Sequence, residues 1–281
     1  MTRFFLPLAA CAAVTLAAAS AQPAANDARF KVAVRAKVTT DAGGPGQKLD
    51  TDAAFTYTWK RDGNVRTLLV DSAEVRVAAG GQEQMNAKMS RAGFSQVKDG
   101  KRTEVKTEDA PAPLKKMLTD SFGTPVCKVE VDAAGREVKR TVVAGPGAAA
   151  LINSGMIANA TMFHPWYAPD RDEWQADMQV SSGHGLAAGK VTYTKVPGGK
   201  GGQAVKVTGT LTSPGLKGKG GLTLTEGKYT VSGEQTYDPG RKEWVAGRLT
   251  IGLDMKLTDG TQVTSGKGEM SVTFEMLPDK K

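Results

Sequence analysis

Strict two-residue alternation in the last third of the chain constrains the fold more than any other feature. Val245, Leu249, Ile251, Leu253, Met255 and Leu257 alternate with Ala246, Arg248, Thr250, Asp254 and Lys256. Met270, Val272, Phe274 and Met276 repeat the pattern. Successive side chains of a strand point to opposite faces, so such a run buries one face and wets the other, as in antiparallel sheet. From Glu173 onward the pattern is almost pure β, with strands predicted at 173–181, 187–196, 203–212, 221–236, 243–257 and 264–276.

The first half reads similarly but less purely. Period-2 spacing begins at Phe30, weakly through Thr39, then clearly as Phe55, Tyr57 and Trp59 oppose Thr56, Thr58 and Lys60. Asp62-Gly63 is a hairpin signal, because Asp-Gly accepts positive φ, and Val65–Val77 returns. Met85–Phe94 and Arg102–Lys106 continue the meander, with Asp99-Gly100 between them. At Ala112 the spacing changes. Leu114, Met117, Leu118 and Phe122 follow a helical period, with Pro113 in the first turn and Gly123 and Pro125 at the end. Val126–Val131 and Glu137–Val143 form a further hairpin, and a second helix is predicted from Pro146 to about Ile157. Thr161–Ala168 reads as an apolar connection.

These elements imply a mainly β protein, a curved antiparallel meander sheet or open barrel, with two short helices over its concave mouth or its edge. The organisation expected is a leader over 1–21, a disordered entry over 22–29, a β-meander half over 30–168 and an all-β half over 169–281. The halves are either separate or one continuous domain. Glycine is abundant, with 33 residues, and aromatics make up only 6%, which suits many short strands joined by tight turns.

The leader sets the expected compartment. Arg3 precedes an apolar run from Phe4 to Leu16, and Ala19-Ser20-Ala21 is a small-x-small cleavage site, leaving Gln22 first in an exported, periplasmic or extracellular chain. The alternative is a lipobox at Leu8-Ala9-Ala10-Cys11, which would anchor the protein through a lipidated Cys11. Either way the apolar run is short for a membrane span, and no second hydrophobic segment follows it. Cleavage after Ala21 leaves Cys127 as the lone cysteine, on one strand face with Val129 and Val131. That pattern fits a buried small hydrophobe, the other reading being a reactive or intermolecular thiol.

No catalytic signature survives inspection of its spacing. Gly183–Lys190 has five residues between its glycines where a phosphate loop has four, and Val191 stands where that loop needs Ser or Thr. There is no G-x-S-x-G elbow. His164 and His184 are the only histidines and lack metal-binding spacing. Asp170, Asp172, Glu173 and Asp177 form an acidic cluster without EF-hand order, which reads as a solvated loop. The sequence therefore predicts no catalytic residue, no metal site and no cofactor. A hydrolase with dispersed acids is the remote alternative.

Charge is more informative. The chain carries 37 basic and 29 acidic residues, yet 178–225 contains no carboxylate at all. Lys190, Lys195, Lys200, Lys206, Lys217 and Lys219 fall in that block and would attract an anionic partner, such as a lipid, polysaccharide or acidic protein surface of the envelope. Nucleic acid is disfavoured, since the chain is expected to be exported and Tyr193 alone interleaves the lysines. The other reading of the block is lysines that keep exposed strand edges soluble.

Pro165, Pro169, Asp172 and Trp174, followed by the Gly247–Leu257 strand, resemble uncharacterised secreted bacterial β-proteins with a proline-containing connector and a tryptophan that opens a C-terminal meander. In that pattern a glycine precedes the acidic residue, where this chain has Arg171. The resemblance implies no activity. The inferred architecture is also similar to the open half-barrel of periplasmic lipoprotein and lipid carriers, which hold an acyl chain between a curved sheet and covering helices. That similarity implies a ligand site lined by Phe55, Tyr57 and Trp59 on the sheet and Leu114, Met117 and Leu118 on the helix. The same six residues also read as plain core. The function expected is thus a non-enzymatic exported protein that binds a hydrophobic or amphipathic anionic ligand, with a structural or protein-interaction module of the envelope as the alternative.

Overall fold

The computed structural model describes residues 27–40, 47–98, 100–133, 137–143, 171–182, 185–197, 202–213, 215–217, 223–241, 243–258 and 260–278. The leader, the helix predicted over 146–157, the connection at 161–168 and both histidines lie outside these residues.

Among the described residues fifteen strands form one sheet. The first half supplies β1 (Ala28–Thr40), β2 (Gln47–Asp62), β3 (Val65–Ala79), β4 (Gln82–Ser90), β5 (Gly93–Lys98), β6 (Lys101–Lys106), β7 (Pro125–Val131) and β8 (Glu137–Val142), with α1 (Ala112–Ser121) between β6 and β7. The second half supplies β9 (Glu173–Ser182), β10 (Gly185–Val196), β11 (Gln203–Ser213), β12 (Leu216–Lys217), β13 (Thr223–Asp238), β14 (Glu243–Thr258) and β15 (Val263–Met276). Every pairing is antiparallel, and the main path of twelve strands runs β6-β5-β4-β3-β2-β1-β15-β14-β13-β11-β10-β9 without closing. The first half meanders outward from the centre and the second returns to it, so β1 and β15 pair along Phe30–Thr40 and join the halves into one continuous sheet.

The predicted hairpin at Asp62 is present, with Asp62 opposite Val65 and Gly63 at φ 55°. The run Met85–Phe94 is not one strand. It breaks at Arg91-Ala92 into β4 and β5, where the Ala92 N–H donates to Ser90 Oγ at 3.2 Å. The sheet also branches, which local pattern does not reveal. Val65–Leu69 of β3 pairs with β7, whereas Ser72–Ala79 pairs with β4. Among the described residues α1 is the one helix, opened by proline in its first turn and stopped where Gly123, at φ 70°, donates its N–H to Val70 O at 2.8 Å.

Inward-facing residues form continuous rows across the strands. One row reads Ala53, Val34, Val272, Leu249, Gly233, Val207, Tyr193 and Trp174, from β2 to β9. Most buried apolar residues of both halves belong to one cluster, which includes Leu118 and Phe122 with almost no exposure, while Leu224, Met255 and Leu257 form a smaller one.

Glycines of the second half lie on a diagonal of this inner face. Gly247 faces Phe274 and Gln235, Gly233 faces Leu249, Gly209 faces Val231, and Gly189 lies against Leu211, each step moving one strand over and two residues along. The space a Cβ would take is filled from the neighbouring strand, by Phe274, Leu249 and Val191 among others. Glycine lines of this kind let a sheet bend sharply, so the diagonal is where the second half is free to curve.

Candidate functional site

The inner face of the sheet is the most coherent candidate surface. Phe55, Tyr57 and Trp59 all point into it and are buried, with Tyr57 stacked on Phe30 at a centroid distance of 5.4 Å. Helix α1 lies against the same cluster through Leu114, Met117 and Leu118. The six residues expected to line a ligand site are therefore brought together, as neighbours in a packed core. Farther along the face, Trp174 stacks on Tyr193 at 5.2 Å, Tyr193 meets Trp244 at 6.2 Å, and Trp244 meets Tyr237 edge-on at 5.2 Å.

Polar atoms interrupt this apolar surface. Tyr57 Oη, Gln235 Nε2, Tyr229 Oη and Ser213 Oγ are buried without a hydrogen-bond partner. Burial pushes the Tyr57 hydroxyl well above the ordinary tyrosine range and that of Tyr193 up to about 12. Arg61 and Glu243 form an ion pair at one end of the face. Burial above all, then the charges of Arg66 and Arg241, lowers Arg61 to about 10. Apart from Tyr57, these residues are not among those the sequence points to, although the signal is there. Arg61 continues the inward series Phe55, Tyr57, Trp59, and Gln235 stands on the inward parity of Tyr229 and Tyr237.

The lysine block is dispersed by the register. Lys190 stands opposite Asp177 and Lys206 opposite Glu234, so residues just outside 178–225 bring carboxylates to its side. Lys195 is half-buried near the end of β10. Lys217 lies in β12 with its side chain outside the described residues, as are Lys200 and Lys219 altogether.

The opposite, outer face carries an open groove of about 690 Å³ over β1 and β2, floored by Ala33 and Ala54 and flanked by Arg35, Asp52, Arg76 and Arg248. Arg35 pairs with Asp52 at 2.7 Å and Arg76 with Glu83 at 2.8 Å, the cross-strand pattern of a solvated face. Among the described residues no three His, Cys, Asp or Glu side chains gather to hold a metal ion, and no helix is long and apolar enough to cross a membrane. Asp170 of the acidic cluster lies outside them. Cys127 is buried between β3 and β8, and burial pushes its thiol up to about 11, which suppresses thiolate chemistry at neutral pH.

No known sequence family and no characterised protein matches the chain. Among solved structures the fold is similar to lipovitellin, from a structure describing lipid–protein interactions in that protein, with TM-score 0.47 and 9% identity. The likeness covers 91% of this chain and 26% of that one, so the chain spans about a quarter of lipovitellin.

Proposed function

We propose that this is an exported, non-enzymatic envelope protein whose curved sheet receives a hydrophobic or amphipathic ligand on its inner face. The observation that carries the reading is the set of buried, unpartnered polar atoms on that face: Tyr57 Oη, Gln235 Nε2, Tyr229 Oη and Ser213 Oγ. Leaving such a group unpaired costs about 1–3 kcal/mol, and native interiors rarely tolerate several. These atoms are sealed within the packed face, so a ligand with a polar group amid apolar substance would satisfy them once the sheet opens to admit it. Arg66 and Arg241, beside the Arg61–Glu243 pair at one end of the face, supply positive charge for an anionic group.

The experiment is native mass spectrometry of the protein purified from an envelope fraction without detergent, followed by solvent extraction. An added mass that resolves into lipid is the expected result. A clean ligand-free mass after mild handling overturns the reading and leaves the interaction module. The same spectrum reads the N-terminus, expected at Gln22 or at a lipidated Cys11.

A further inference from the structure

The main path of the sheet has two free ends, β6 and β9, each paired on one side only among the described residues. Free edges are ready templates for strand addition, and proteins usually blunt them with charge. Here the charges are of opposite sign. The β6 segment Lys101-Arg102-Thr103-Glu104-Val105-Lys106 carries three cations and one carboxylate, whereas Glu173-Trp174-Gln175-Ala176-Asp177-Met178 of β9 carries two carboxylates and no cation. Glu173, Gln175 and Asp177 are exposed, as are Arg102, Glu104 and Lys106. Each triplet lies on the outer face of its strand, because Val105 pairs with the core-packed Phe94 while Trp174 and Ala176 pack inward.

We propose that β9 of one copy of this chain adds to β6 of the next, so that copies associate head to tail through a continued sheet. Strand polarity favours it. Twelve strands that alternate in direction leave β6 and β9 running oppositely, so extension of the sheet in the same sense makes the new pair antiparallel without any rotation of the partner. The charge register fits as well. With Lys106 opposite Glu173, Arg102 falls opposite Asp177 and Glu104 opposite the neutral Gln175, while on the inner face Val105 meets Trp174 and Thr103 meets Ala176. Existing contacts are weak competitors, since Arg102 with Glu104 at 2.7 Å and Lys106 with Glu108 at 4.0 Å are exposed pairs.

The two symmetric alternatives are disfavoured by the same residues. A β9–β9 pair centred on Gln175 sets Glu173 against Asp177 twice, and a β6–β6 pair centred on Glu104 sets Arg102 against Lys106 twice. Like charges directly opposite destabilise a strand pair. A heterologous contact that does not close produces an open chain of copies rather than a dimer.

The test is disulfide trapping in the full mature chain, using Glu104→Cys and Gln175→Cys, both exposed and on facing positions of the proposed pair. Cross-linked dimers are expected when the two single variants are mixed at low salt, with none in either variant alone, and a ladder of oligomers is expected from the double variant. Dimers in a single-variant sample would show symmetric pairing and overturn the proposal. So would a monomeric internal cross-link in the double variant, which means that the sheet closes on itself, or no cross-link at all. A charge swap guards against misfolding. Glu173→Lys with Asp177→Lys in the Gln175→Cys chain is expected to abolish trapping, and Arg102→Glu with Lys106→Glu in the Glu104→Cys chain to restore it.

Discussion

Arg61 and Glu243 form a buried ion pair between β2 and β14, strands with β1 and β15 between them. The contact is possible because both residues lie past Ala28 and Met276, the last paired residues of the intervening strands. It therefore ties the first half of the chain to the second where backbone pairing has ended. Removing one partner leaves the other charge buried alone, so Glu243→Gln should cost about 3 kcal/mol of unfolding free energy. Arg61→Met combined with Glu243→Leu should lie within about 1 kcal/mol of the parent, since well-packed apolar pairs commonly replace buried ion pairs. Urea unfolding of the single and double variants checks this, and a double variant as unstable as the single would show that the pair does more than neutralise itself.

The glycine diagonal of the inner face leaves no room for side chains. A Cβ at Gly209 would stand 2.7 Å from Val191 Cγ1 and 2.9 Å from Lys190 O, the latter backbone that cannot step aside. Gly209→Ala should thus destabilise by about 2 kcal/mol through overpacking. Gly252 is on the outer face, where the near atom is Thr230 Oγ1 at 2.6 Å, the end of a side chain that can rotate. Gly252→Ala should be neutral or slightly stabilising, because alanine lowers the entropy of the unfolded chain. Thermal unfolding of the two variants reads the opposite signs.

Much of this was legible in the sequence, and the remainder has a common cause. Strand alternation and α1 emerge from spacing alone, because side-chain direction is a local property. Long-range register is not. Nothing near Phe30 announces that it pairs with Met276, nothing in Val65–Ala79 says that one strand serves both β4 and β7, and the run without carboxylates gives no hint that Asp177 and Glu234 come to face Lys190 and Lys206. The aromatic series of β2 ends at Trp59, but its inward parity does not. Two residues on stands Arg61, whose charge on an inward position requires a buried partner.

The unpartnered hydroxyls allow the proposed ligand face to be tested against plain core. Tyr57→Phe and Tyr229→Phe each remove a buried Oη that has no partner. In the ligand-free protein each change should raise stability by up to about 1 kcal/mol, because the desolvation cost disappears with the group. If a polar ligand group meets these hydroxyls, the same variants should retain less extracted lipid. Denaturation of delipidated protein and lipid quantification together decide the matter. Loss of stability in the ligand-free variants would mean that the hydroxyls are satisfied within the fold.

Alkaline pH offers a separate handle through Cys127. Its thiol titrates near 9.0 when unperturbed and at about 11 in the folded protein, because burial disfavours the thiolate. Between those values the unfolded chain gives up the proton while the folded chain keeps it, so stability falls as pH rises, by about 1.4 kcal/mol for each pH unit. Tyr193, pushed up to about 12, adds a loss that begins only above its ordinary 10.0. Arg61, lowered to about 10, works in the opposite sense over the interval up to its ordinary 12.5, where the unfolded chain holds the proton more tightly. From pH 9 to 10, then, the decline belongs to Cys127. Cys127→Ala should lower stability at neutral pH through the missing sulfur but flatten the slope across that window, as read by denaturant midpoints at half-unit steps. An unchanged slope in the variant would show that the thiol is reached by solvent and that the strands around β7 open.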